Sequence, residues 1–115
     1  MAYVRHGFSR DEAPFFRPNT EGSQIHAAVA PQEGEPVVTK SKINSFRDTN
    51  LKEILNERDV EGLVIVGAMS HMYIDGATRA AHDMGYICAV AHDACTNHDQ
   101  EFNGVTVPTA QVHAA

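Results

Sequence analysis

Four apolar residues in a row, Leu63-Val64-Ile65-Val66, stop at Gly67 and give way to a different rhythm. Three of the four are β-branched, and so short a run predicts a strand buried on both faces. After Gly67, apolar or small residues recur at Met69, Met72, Tyr73, Gly76, Ala77, Ala80, Ala81 and Met84. Those spacings of three and four mark one face of a helix. Ser70 is the expected N-cap, Asp75 and Arg79 an i,i+4 pair, and Gly85 the C′ stop. A buried strand that turns directly into a small-residue helix is where open α/β sheets place their chemistry.

The rest of the chain is arranged around that unit. Ala2 to His6 reads as a short strand. Gly7 to Pro36 is a long irregular stretch rich in proline and glycine, which Phe15, Phe16 and Ile25 are expected to pack down. Val37 to Lys40 predicts a second strand, and Asp48 or Thr49 a cap for a helix running to about Glu57 with Leu51, Ile54 and Leu55 inward. Tyr86 to Ala91 predicts a strand after the central helix, followed by an Asp-rich turn. Thr106 to Pro108 is short and extended, and Thr109 caps a last helix. Strands alternating with helices imply an α/β fold with a mostly parallel sheet.

The 115 residues suit one domain, residues 1–115. The formal net charge of −6, with no cluster of Lys or Arg, argues against a nucleic-acid partner. No apolar run approaches the ~20 residues that a membrane span needs. Cys88 and Cys95 lack metal-pair spacing and predict free thiols in a cytoplasmic protein.

Gly67-Ala68-Met69-Ser70-His71-Met72-Tyr73-Ile74, with Thr78-Arg79-Ala80-Ala81 behind it, resembles the nucleophile turn of the isochorismatase-like cysteine hydrolases. In that family a strand leads into G-x-x-T/S-x-x-C and a helix carrying T-R-A-A. Tyr73 stands here at the cysteine position. Lys40-Ser41-Lys42-Ile43-Asn44-Ser45-Phe46, with Thr49 and Leu51, resembles the family's lysine segment, and Asp93-Ala94-Cys95 its D-A-C/A turn. The resemblance implies a partial Rossmann-like sheet, truncated at both ends and lacking the family's first strand and helix, which deliver the catalytic aspartate. In the implied strand order 3-2-1-4-5-6 that missing strand is central. The expected consequence is an intertwined homodimer or higher homo-oligomer that covers the exposed edges.

The resemblance also assigns roles. Lys40 would stabilise charge, Tyr73 would hold the nucleophile position, and the N–H groups of Met72 and Tyr73 would form the oxyanion hole. The family's non-proline cis bond would fall at Ala68–Met69. A phenol, with a pKa about 10 against about 8.5 for a thiol, is a poor replacement, so the cysteine mechanism is not expected. Plainer readings stand beside these: Lys40 as a solvated lysine at a strand end, and Tyr73 as a core tyrosine.

The histidines offer a second chemistry. His6, His71 and the His92-Asp93 pair each follow a predicted strand. Three such ligands could hold a divalent metal such as zinc and activate water. Scattered surface histidines are the alternative. Two functions therefore follow from the sequence. One is a hydrolase of small-molecule substrates acting through metal-activated water, or through the residual oxyanion hole with Lys40. The other is a catalytically inactive oligomeric remnant of the family.

Overall fold

Two parallel strand pairs and one antiparallel hairpin make up the strands of the computed structural model, which describes residues 1–8 and 12–115. The chain divides into two units, Met1–Asp59 and Val60–Ala115.

In the first unit, β1 (Tyr3–His6) pairs in parallel with β2 (Val37–Lys40). The register sets Tyr3 opposite Val37 and His6 opposite Lys40, so both strands end at the same level. The connection between them contains two short 3-10 turns, Glu21–Ser23 and Ala27–Val29. It is fastened to the strands by Arg5, whose guanidinium donates to Ser23 O (3.3 Å), Gln24 Oε1 (2.9 Å) and Thr39 Oγ1 (2.9 Å). Ser9, Arg10 and Asp11 of this stretch lie outside the described residues. Helix α1 (Leu51–Glu57) begins later than Asp48 or Thr49. Asn50 holds the cap position, Asp48 takes a left-handed φ of 56°, and Thr49 Oγ1 donates to Ser45 O at 2.6 Å while accepting from the Leu51 N–H at 3.4 Å. Leu51 and Leu55 are buried as expected, and Ile54 is half-buried.

In the second unit, β3 (Gly62–Ala68) pairs in parallel with β4 (Ile87–Thr96). Gly67 ends the apolar run at φ 129°, a conformation that side chains rarely adopt. The Ala68–Met69 peptide is cis, at the position that the resemblance implied. The chain then makes one π-helical turn, Ser70–Ile74, and continues as α2 (Asp75–Asp83). The cap position is Met69, not Ser70, and the Met69 carbonyl accepts from both Met72 N (3.1 Å) and Ile74 N (3.2 Å). At its other end α2 closes as a Schellman motif, with Gly85 N–H to His82 O (2.9 Å) and Tyr86 N–H to Ala81 O (3.1 Å).

Two further expectations for this unit are corrected. First, β3 is not buried on both faces, since Val64 is 76% and Val66 49% exposed. The other face, that of Leu63 and Ile65, is half-buried, and α2 meets the neighbouring strand β4, where Cys88 Sγ approaches Thr78 O at 3.9 Å. Second, the Asp-rich segment after Ala91 is not a turn but a bulge within β4. Ile65 pairs with Val90 and Gly67 with Cys95, so one residue of β3 spans four of β4. A hairpin of β5 (Gln100–Phe102) with β6 (Val105–Val107) follows, and Thr106 is short and extended within it as expected. Its turn residues, Asn103 (φ 50°) and Gly104 (φ 77°), both lie in the left-handed region that a type I′ turn demands. Helix α3 (Thr109–Ala114) follows, and Asp99 Oδ1 accepts from the Thr109 N–H and hydroxyl, both at 2.7 Å.

The hairpin provides a direct check of this local reading. Gly104→Ala places a Cβ at a left-handed residue and should lower stability by about 1–2 kcal/mol. Urea unfolding measures it, and an unchanged midpoint would contradict the turn assignment.

Candidate functional site

Parallel pairing brings Lys40 beside His6 at the carboxyl ends of β1 and β2, where open α/β sheets bind ligands. Lys40 Nζ donates to His6 Nδ1 at 2.9 Å and to Lys42 O at 2.9 Å. Both side chains are buried, Lys40 at 5% and His6 at 8% exposure. This rules out the solvated-lysine reading of Lys40. Burial penalises the ammonium and lowers the Lys40 pKa to about 8. Burial, and then the charge of Lys40, lower His6 to about 4. His6 is therefore neutral near pH 7, with Nδ1 available as the acceptor and the ring proton on Nε2.

Aromatic side chains wall the pair. The Phe8 ring meets His6 edge-on at 4.5 Å, and Phe16 lies at 5.7 Å. Phe15 meets Phe8 (5.8 Å) and Phe16 (5.3 Å) but stays 51% exposed, so of the two loop phenylalanines only the half-buried Phe16 is packed down as the sequence suggested. The partnership of His6 with Lys40 was not legible in the sequence. Its one available signal was that each residue closes a neighbouring parallel strand.

In the second unit the predicted residues sit on the strand–turn–helix. Tyr73 is buried, and its phenol pKa is raised by desolvation, which makes the phenolate harder to form. The Met72 N–H, expected in an oxyanion hole, already donates to Met69 O and would have to be shared. Ser70 Oγ lies 2.9 Å from His113 Nδ1 and 3.3 Å from Thr96 O, a contact that sequence reasoning missed.

The predicted metal ligands do not form a cluster. Among the described residues, no group of three or more His, Cys, Asp or Glu is arranged to hold a metal ion. His6 is engaged with Lys40. His71 is exposed with its ring against His98 (6.3 Å), and His92 lies beside His113 (6.4 Å). Asp93 is exposed in the β4 bulge. Among the described residues the donor set does not fit a metal.

A mostly parallel α/β fold, a buried lysine at a strand end and a cis-linked strand–turn–helix define the class of protein. A family model described as the isochorismatase domain matches residues 1–106, and the chain belongs to that family. It is 43% identical over 113 residues to the uncharacterized isochorismatase family protein YddQ of Bacillus subtilis, covering 98% of this chain and 63% of YddQ. It is 33% identical over 82 residues to a streptothricin hydrolase of Streptomyces noursei, covering 71% of this chain and 30% of that enzyme. A crystal structure from Oleispira antarctica assigned to the isochorismatase hydrolases superposes with a TM-score of 0.93 at 64% identity, over 98% of this chain and 59% of that one. The chain thus spans less than two thirds of each relative. Among the described residues, no helix is long and apolar enough to cross a membrane.

The Lys40–His6 pair sets a pH dependence whose sign is fixed. His6 titrates near 4 in the fold against 6.5 ordinarily, so between those values the unfolded chain binds the extra proton. Its contribution to stability is complete above pH 6.5 and is lost as pH falls toward 4. Lys40 acts in the same sense between about 8 and 10.5. The difference in urea midpoint between wild type and His6→Phe should therefore climb from pH 4 to pH 6.5. A flat difference would mean that His6 titrates normally.

Proposed function

We infer that the chain is a hydrolase-family protein for small-molecule acyl substrates that works without a thiol at position 73. One observation carries this reading. Lys40 is a buried cation with a lowered pKa, held at Nζ by His6 and Lys42 O, and perturbed groups of this kind concentrate at functional sites. A desolvated ammonium stabilises a developing oxyanion far more than a solvated one does. Neutral His6 fixes the Nζ position without competing for its charge. Tyr73 stands where the resemblance places the cysteine, and burial keeps it protonated. That same burial favours the second reading, a family member without catalysis. The open face of β3 and β4, with Val64, Val66 and Ile87 exposed, supports assembly with another copy.

Lys40→Ala should lower kcat by about 10²-fold or more with little change in KM, because the charge acts on the transition state. Tyr73→Phe should leave both unchanged. An assay on a panel of amides and esters decides. Turnover indifferent to Lys40 removes its role, and turnover abolished by Tyr73→Phe makes the phenol catalytic.

A further inference from the structure

If position 73 supplies no thiol, another group must attack the carbonyl. The hydroxyl one turn earlier on the same strand–turn–helix has the geometry of an activated nucleophile. Ser70 Oγ lies 2.9 Å from His113 Nδ1, a hydrogen-bonded distance between nucleophile and base. Ser70 has one hydroxyl proton and two acceptors within reach. The 2.9 Å contact to His113 is better than the 3.3 Å contact to Thr96 O. Both side chains are half-buried, positioned by the fold yet reachable by a small molecule. Three elements converge to set this pair: the π-turn after β3, the end of β4, and α3, whose first residue is tied to Asp99. Met69, not Ser70, holds the N-cap position of that turn, and the Ser70 hydroxyl is directed at His113 and Thr96 O instead. The ring of His92 lies beside His113 at 6.4 Å.

We propose that Ser70 and His113 form an acyl-transfer dyad in which Ser70 is the nucleophile and His113 its base. Ser70 Oγ forms a bond to the acyl carbon as its proton passes to His113 Nδ1. The bond from that carbon to the leaving group breaks, and the leaving group takes the proton from His113. Water, deprotonated by the same imidazole, then releases the acid and regenerates Ser70. Among the described residues no carboxylate hydrogen-bonds His113, so the imidazolium lacks the partner that a full triad provides. The substrate class is therefore activated esters, whose leaving groups need little assistance. The proposal rests on the hydrolase reading above but not on Lys40.

The test is acylation by p-nitrophenyl acetate, read by peptide mass mapping and nitrophenol release. Acetyl should appear on Ser70 and be absent from Ser70→Ala. His113→Asn puts an amide near the Nδ1 position, so the tie to the turn persists while the base is lost. Acylation of Ser70 should then fall about 10²-fold at least, with the circular dichroism unchanged. Acetyl confined to lysines or to Cys88 and Cys95, or equal Ser70 labelling in His113→Asn, would overturn the dyad. Should His113→Asn fail to fold, labelling of Ser70 in the wild type against denatured protein still decides, because an unactivated serine labels equally in both. Lys40→Ala separates the two readings. Rate loss there without acyl-Ser70 leaves the lysine reading and removes the dyad, and acyl-Ser70 with turnover indifferent to Lys40 does the reverse.

Discussion

The chemistry of this chain depends on a lysine taken out of water. A buried ammonium is costly unless it is hydrogen-bonded, and the fold meets that demand with one imidazole nitrogen and one backbone carbonyl. The arrangement requires parallel pairing in a single register, because only His6 opposite Lys40 brings the two strand ends together. A slip of one residue by either strand would leave the two side chains on opposite faces. It also requires a neutral histidine, since a charged one would meet the ammonium as a like charge. The aromatic wall of Phe8 and Phe16 keeps the pair dry and so maintains both lowered pKa values.

In the second unit the corresponding constraint is the Met69 carbonyl. By accepting from Met72 and Ile74 it converts the end of β3 into a π-turn, and so decides where Ser70 and Tyr73 point. Single π-turns inside helices are rare and are found often at functional sites. Here the turn keeps Tyr73 buried while it leaves Ser70 at the margin, against His113.

The sequence was most legible where one local pattern had one structural solution. The run ending at Gly67, the stripe from Met69 to Ala81 and the stop at Gly85 each appear in the fold, as do the parallel pairs, whereas Met84 at the end of the stripe is exposed. Family membership was legible in the residues from Gly67 to Ala81 and from Lys40 to Leu51, and the domain match agrees with it. What could not be read was pairing between distant residues. His6 and Lys40 are 34 positions apart, and Ser70 and His113 are 43 apart. A histidine near the end of a strand suggested a metal, because residue type alone does not reveal which neighbour the register supplies. The bulge in β4 was hidden because His92 and Asp93 read as a turn, although one strand can carry them when it bulges against its partner. The hairpin at Asn103-Gly104 did carry a readable signal, the strongest short-range one that a sequence offers.

The central claim is that the fold desolvates Lys40 and holds it poised for charge stabilisation. A heteronuclear NMR titration of the Lys40 side chain measures this directly, with Lys40→Arg to assign the resonance. The account predicts a midpoint near 8. A midpoint near 10.5 would show an ordinary solvated lysine and contradict it.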